Sequence, residues 1–435
     1  MVHKELRRVA IIGGVRTPFC RSHTMYEDLT NLEMLTTVLQ GLTDKFVLSG
    51  THIDEVVAGA VVTHAKDWNL AREAVIGTTL AASTPGITMM QACGTSLQGA
   101  MGLGAKIASG QIECGIAAGS DTVSDAPVVF QRKFAKRLVA ASRGRSFRAK
   151  LGAFKGLKLR ELAPNAPSTG EPRTKMSMGQ HCELMAKQWN IERADQDELA
   201  FTSHQNAAKA YDEGFHDDLI VPCAGVFRDN NIRADTTLEK MGELRTAFDR
   251  SAKGTLTAAN STPLTDGASA TLLASEAWPI EHDLPVLAWL TDAQTSAVDF
   301  VAGDGLLMAP TIAIAKLLKR NDMSLQDFDL YEVHEAFAAQ VLCTLKALED
   351  KDYCQSVLGL NNPLGSIDRA KMNVKGSSLA YGHPFAATGG RILSLLAKQL
   401  HERAEKKGAS RGLISICTAG GMGVAAILES AGGAE

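Results

Sequence analysis

Cys114-Gly115-Ile116-Ala117-Ala118-Gly119-Ser120 and Leu413-Ile414-Ser415-Ile416-Cys417-Thr418-Ala419-Gly420-Gly421 decide the fold of this chain. Each is an apolar run that ends in small residues, the pattern of a buried strand delivering its last side chains to a turn. Outward from the first run, residues 9–12, 55–62, 87–90 and 114–118 read as strands, and 32–45 and 96–109 as helices. Outward from the second, a unit opens near 285–290. It continues with a helix over 308–318, a strand over 330–333, helices over 335–348 and 388–402, and a strand over 412–417. Strands that alternate with amphipathic stretches read as α/β. Both units open on an apolar strand, place a reactive residue at a strand-to-helix turn, and close on a strand followed by small residues. The expectation is a duplicated α/β half, with the active site where strand ends from both halves meet.

The chain has 435 residues, 45% of them hydrophobic and 21% charged, which is the composition of a globular protein with a large core. A net charge of −3 argues against a general nucleic-acid binder. No apolar run approaches the ~18 residues of a membrane span. The N-terminus, Met1-Val2-His3-Lys4-Glu5-Leu6-Arg7-Arg8, lacks an apolar signal core and passes at once into the first strand. Eight cysteines without a CxxC pair argue against a zinc site or a disulfide framework, so no metal is expected and the compartment expected is a reducing cytoplasm.

Residues from about 122 to 245 are more polar and less regular. Within them Arg132, Lys133, Lys136, Arg137, Arg143, Arg145, Arg148, Lys150, Lys155, Lys158 and Arg160 occur with no acidic residue among them. Interleaved apolar residues allow a basic amphipathic helix, and the one-signed charge points to an anionic partner rather than a solvated face.

Cys93 follows an apolar strand and precedes a helix, where free backbone N–H groups and the helix dipole stabilise a thiolate. His383, in Tyr381-Gly382-His383-Pro384-Phe385, is held by a glycine–proline turn and suits the role of base for that thiol. His334, in Val333-His334-Glu335-Ala336-Phe337, can donate to a carbonyl oxygen or hold a water there, with Glu335 orienting its surroundings. Cys417 ends a strand whose following amides can turn toward a ligand. Residues 260–269 read as a polar turn suited to the arm of a bound cofactor. One thiol as nucleophile, a second as proton carrier and two histidines suit a Claisen condensation or its reverse.

In this order, from Arg16-Thr17-Pro18-Phe19 to Gly423, the motifs resemble the thiolases. They resemble above all the 3-ketoacyl-CoA thiolase subunits of trifunctional fatty-acid oxidation complexes, with HEAF at His334–Phe337, Ala258 to Ala268, and AYGHPFAATG at Ala380 to Gly389. The resemblance implies two βαβαβαββ halves in five αβαβα layers with an inserted loop domain. The halves fall at 1–121 with 246–280 and at 281–435, and the loop domain with its basic insertion at 122–245. It implies Cys93 as the acylated nucleophile, His383 as its activator and an oxyanion donor, and Cys417 as the acid/base. It places His334 where most relatives use asparagine in an oxyanion hole, and puts a second hole at the amides of Cys93 and Ala419. Thr262, Ser261, Asn260 and Phe337 become the contacts for the CoA arm. Coenzyme A is then a substrate, with no tightly bound cofactor. The implied partners are a second copy, a hydratase/dehydrogenase subunit, or a membrane surface met by the basic insertion. The implied setting is a bacterial cytoplasm with membrane association. The direction implied is degradative, with a biosynthetic acetoacetyl-CoA thiolase and a non-catalytic scaffold subunit as the other readings.

Overall fold

The computed structural model describes residues 6–165, 168 and 170–432, so the polar run Met1 to Glu5 lies outside it. Strands are β1 (Val9–Arg16), β2 (Cys20–Arg21), β3 (Glu55–Gly59), β4 (Gly86–Thr88), β5 (Cys114–Asp121), β6 (Val129–Phe130), β7 (Pro164–Asn165), β8 (Thr265–Ser275), β9 (Ala288–Ala297), β10 (Leu330–Val333), β11 (Arg411–Thr418) and β12 (Met422–Ser430). Among the described residues β6 pairs only with β7, and the others form one ten-stranded sheet in the order β10-β11-β12-β9-β1-β8-β5-β3-β4, with β2 on β8. The two halves join at β1 and β9 through Ala10 opposite Trp289 and Ile11 opposite Ala288.

The first half runs strand, helix Asn31–Lys45, strand, helix Leu70–Ile76, strand, helix Thr95–Ala108, and then the strands β5 and β8. The second half keeps that order with helices Ala309–Asn321, Ala338–Glu349 and Thr388–Lys407, but its third strand shrinks to a single bridge between Tyr331 and Met372.

Strand alternation assigns each side chain to a layer. In β1, Ala10 and Ile12 pack outward beneath the helix Asn31–Lys45, while Val9 and Ile11 face the centre. In β12, Ala425 and Ile427 face the helices Ala309–Asn321 and Ala338–Glu349, while Val424, Ala426 and Leu428 face the centre. The central cluster is filled by helices Thr95–Ala108 and Thr388–Lys407, one from each half, through Leu97, Ala100, Leu393 and Leu396. Outer helices therefore pack on the outward faces of the strands through two clusters, and the two helices that open at Cys93 and just after His383 lie side by side within the central one.

Several boundaries differ from the sequence expectation. Strand β3 stops at Gly59 rather than 62, because Val61 and Val62 turn their N–H groups onto the Asp121 carboxylate instead of a neighbouring strand. The helix expected from 335 starts at Ala338, and Phe337 is extended (φ −145°, ψ 142°). The second half of the expected polar turn, from Thr265 onward, is the fully buried β8. Its hydroxyls and small side chains read as a turn in sequence, yet they lie between layers and bond across the halves.

The segment between β5 and β8 carries helices Arg132–Arg143, Phe147–Gly152, Met178–Gln188 and Arg193–Asp212. Asp229 docks it on the first half, accepting two hydrogen bonds from Arg16 (2.6 and 2.7 Å), one from Phe19 N (2.6 Å) and one from Tyr211 (2.7 Å). Arg137 is spent internally on Glu161 (2.9 Å) and on the carbonyls of Ala153 and Lys155. The other basic residues of that stretch make no ion pair among the described residues. No described helix is long and apolar enough to cross a membrane.

His216 joins this segment to the second half. Tyr381 gives its hydroxyl proton to the Lys375 carbonyl, so it accepts from His216 Nε2–H at 2.9 Å. Burial pushes this imidazole down to about 3, whereas an unfolded histidine titrates near ~6.5. The unfolded chain therefore takes up a proton that the folded one refuses, and wild type loses stability as pH falls below ~6.5. His216→Asn lacks that titration. In urea unfolding at stepped pH, the stability advantage of wild type over His216→Asn is expected to narrow by ~1.4 kcal/mol per pH unit between pH ~6 and ~4. A constant gap would show that His216 does not titrate on unfolding.

Candidate active site

Cys93 lies in the turn Ala92–Gly94 that opens the helix Thr95–Ala108. Ala92 before it has φ +46°, left-handed backbone that costs an alanine ~1 kcal/mol. The turn is held by Thr95, whose Oγ1 donates to Ala92 O and accepts from Gln91 N, both at 2.8 Å. His383 follows Gly382 (φ +100°), and its backbone N–H donates to Thr265 Oγ1 at 2.6 Å. Its Nε2 lies 2.9 Å from Cys93 Sγ and its Nδ1 2.5 Å from Thr388 Oγ1. With Nδ1–H donating to Thr388, the Nε2 lone pair faces the thiol.

Buried polar groups of the first half fix this loop of the second. Asp121 accepts from Ala386 N at 2.7 Å, and Ser96 Oγ donates to Ala386 O (2.6 Å) while accepting from Gly390 N (2.7 Å). Ser269 Oγ donates to Ala387 O at 2.5 Å. Burial raises Asp121 to about 7, against the pull of the amides of Val62, Ala386 and Val61.

Burial likewise pushes the Cys93 thiol up to about 12, opposed by the N–H groups of Ala419 and Cys93 itself. It pushes His383 down to about 3, with the Arg391 cation adding to the shift. The helix N-terminus and amides therefore do not leave a standing thiolate, as the sequence suggested. Burial thus favours a neutral thiol beside a neutral imidazole, and the 2.9 Å contact gives the thiol proton a path to Nε2. Cys417, at the end of β11, is raised well above an ordinary thiol by burial and then by Cys93. Beyond it Gly420 and Gly421 have φ +77° and +71°, and Glu171 accepts from Gly420 N at 2.9 Å, steadying the loop whose Ala419 amide faces Cys93.

His334 is fully buried, and its ring centroid is 4.2 Å from that of His383. Nδ1 meets Ser378 Oγ at 2.8 Å, while Nε2 has no partner. Burial, then His383, holds it well below the usual histidine range. Glu335 anchors the turn behind it, accepting from Ser203 Oγ (2.7 Å), Asn373 Nδ2 (2.7 Å) and Leu379 N (3.3 Å). Sγ of Cys93 and a ring nitrogen of each histidine lie within 4.8 Å of one another, the one such grouping among the described residues with ligands for a soft cation.

The residues expected to meet a CoA arm divide. Asn260 is fully buried and uses its amide on Asp197 (2.9 Å) and Thr255 O (3.3 Å), its oxygen accepting from Thr257 N (2.7 Å). Thr262 Oγ1 donates to Ser378 O at 2.9 Å. Both side chains hold the site's backing together. Phe337 packs edge-on to Phe248 at 5.8 Å and bridges Ser261 through its backbone. Ser261 Oγ is buried and has no partner, so it alone of the three polar groups keeps an unused hydroxyl. Sequence reasoning missed Asp121, Ser96, Ser269, Thr388, Ser378, Arg391 and Glu171. Only Asp121, an acid closing an apolar strand, carried a local signal.

The family described as Thiolase, N-terminal domain matches residues 9–277, and that described as Thiolase, C-terminal domain matches residues 284–430. The 3-ketoacyl-CoA thiolases of Shewanella baltica and Shewanella woodyi are 41% identical to this chain over 428 residues, 97% of each. The structure of human mitochondrial 3-ketoacyl-CoA thiolase is similar with a TM-score of 0.79 and 26% identity, covering 98% of this chain and 100% of that one. Bacillus anthracis acetyl-CoA acetyltransferase gives a TM-score of 0.80 and 28% identity, covering 98% of this chain and 99% of that one.

The contact between halves leaves no slack. A Cβ on Gly119 would stand 2.0 Å from Ala386 O, a backbone atom that cannot swing aside. Gly119→Ala is expected to lose about 3 kcal/mol in chemical unfolding. Because it displaces the His383 loop, it is also expected to slow alkylation of Cys93 by a neutral reagent ~10²-fold. Unchanged stability and reactivity would mean that the loop yields freely.

Proposed function

We infer the reaction from one premise: the chain belongs to the thiolase family. It is an acyltransferase, and its reaction is the thiolytic cleavage of a 3-ketoacyl-CoA by CoA to acetyl-CoA and a shortened acyl-CoA. The observation that carries this reading is the 2.9 Å contact between Cys93 Sγ and His383 Nε2, with the Ala419 amide facing the sulfur and Cys417 close enough to be perturbed by Cys93. Cys93 gives its proton to His383 and attacks the 3-keto carbon. The bond between carbons 2 and 3 breaks, acetyl-CoA leaves as its enolate, and Cys417 supplies the proton to carbon 2. CoA then loses its thiol proton to the Cys417 thiolate and attacks the acyl-Cys93 thioester. Cys93 leaves as thiolate and takes its proton back from His383. In this reading the amides of Cys93 and Ala419 hold the oxyanion of the acyl group, and His334 and His383 that of the enolate. CoA is a substrate and nothing need be tightly bound, since every proton has a carrier in the chain.

The unpaired basic residues of the helices Arg132–Arg143 and Phe147–Gly152 face solvent with Val139, Phe147 and Leu151, and we assign this surface to a partner protein with an acidic face, such as a hydratase/dehydrogenase subunit. Replacing Arg143, Arg145, Arg148 and Lys150 by Glu is expected to leave turnover on soluble substrate intact and to abolish a salt-sensitive association with that partner. Retained association, or binding to anionic vesicles alone, would reject the assignment.

Incubation with a 3-ketoacyl-CoA is expected to leave an acyl mass on the peptide containing Cys93, and Cys93→Ser to remove it. Cys417→Ala is expected still to acylate, while exchange of the α-protons of acetyl-CoA with solvent falls ~10²–10⁴-fold. A label on another residue, or exchange at the wild-type rate, would refute the assigned roles.

A further inference from the structure

We propose that Ser378, held by the buried Arg391, is a positioning residue that fixes the Nε2–H tautomer of His334, so that this histidine meets a substrate oxygen as a direct hydrogen-bond donor. The proposal deepens the thiolase reading and rests on it for the identity of that oxygen, the thioester carbonyl of the acetyl unit that becomes the enolate.

The direction of each hydrogen bond follows from what its partner can do. Arg391 Nη2 lies 3.0 Å from Ser378 Oγ and 3.3 Å from Ser377 Oγ. A guanidinium only donates, so Ser378 Oγ accepts there. The serine keeps one proton to give, and among the described residues His334 Nδ1, at 2.8 Å, is the acceptor within its reach. An Nδ1 that accepts carries no proton. A neutral imidazole must then carry its proton on Nε2. That nitrogen is buried and has no partner, on a ring whose centroid is 4.2 Å from that of His383, and the residue belongs to the grouping with Cys93 and His383.

The opposite tautomer would fail on two counts. It would leave the buried Ser378 proton without an acceptor among the described residues, and it would aim a lone pair at the oxygen on which charge develops. The same assignment turns an N–H of His334, rather than a lone pair, toward the site, which does not suit a cation there. Two further contacts keep the serine in register. Thr262 Oγ1 donates to its carbonyl at 2.9 Å and the Leu379 amide is tied to Glu335 at 3.3 Å, while Arg391 itself is 2% exposed, so solvent does not compete for its hydrogen bond.

The test reads the tautomer itself. Full-length protein labelled with 15N-histidine, with His334→Asn supplying the assignment, is expected to show a long-range proton–nitrogen pattern for His334 with Nδ1 unprotonated and Nε2 protonated at pH 7. Ser378→Ala is expected to lose that fixed pattern and to lower kcat about tenfold with little change in KM, because positioning of an oxyanion donor rather than substrate binding is lost. Ser378→Thr, which keeps a hydroxyl, is expected to recover most of kcat. A wild-type His334 protonated on Nδ1 would overturn the proposal, and so would a Ser378→Ala protein with unchanged pattern and kcat. Should the buried substitution prevent folding, the wild-type spectrum decides alone. Absence of acylation at Cys93 would instead overturn the thiolase reading and leave the tautomer result standing.

Discussion

The site exists because buried polar groups of one half grip the backbone of a loop in the other. Asp121, Ser96 and Ser269 satisfy the amides and carbonyls of Ala386, Ala387 and Gly390, groups that would otherwise be orphaned between layers. An unpaired buried backbone group costs ~1–3 kcal/mol, so the loop has one well-paired position and few alternatives. Gly119 lets the two backbones close to contact, and Thr265 takes the His383 N–H itself. The 2.9 Å thiol–imidazole distance is a consequence of that fit between halves.

Burial sets the electrostatics of the site as firmly as contact sets its geometry. A thiol raised to about 12 and an imidazole lowered to about 3 make a neutral pair in which charge appears only when the reaction creates it. The amides of Cys93 and Ala419 are already turned to the sulfur, so their stabilisation needs no rearrangement as charge forms. Reactivity is thus stored as preorganisation rather than as a standing thiolate exposed to alkylation and oxidation.

The inserted segment reaches this centre with side chains of its own. Glu171 holds the Gly420 amide beside Ala419, and Ser203 helps to clamp Glu335 behind His334. Asp229 seats the segment on Arg16 through a two-pronged buried pair, so its hold on the site is rigid. The basic helices at its outer edge take no part in these contacts and keep an exposed apolar flank.

The sequence alone determined the duplicated α/β order and most strand and helix positions, and it singled out Cys93, His334, His383 and Cys417, which the fold brings together. Those features are local: apolar periodicity and small residues around a reactive side chain are written within a dozen positions. It misread what depends on partners distant in the chain. Residues 260–269 looked like a polar turn suited to a cofactor's arm, because nothing in a string says that Asn260 bonds to Asp197, or that Ser269 reaches Ala387. The helix after β10 was placed three residues early, since the bridge between Ser261 and Phe337 that holds the chain extended is invisible locally. The protonation states were decided last and by tertiary structure alone. Helix position favours a thiolate at Cys93, but burial, which only the assembled layers create, outweighs it. Likewise Arg391, fifty-odd residues beyond His334 along the chain, fixes where that histidine keeps its proton only once folding sets Ser378 between them.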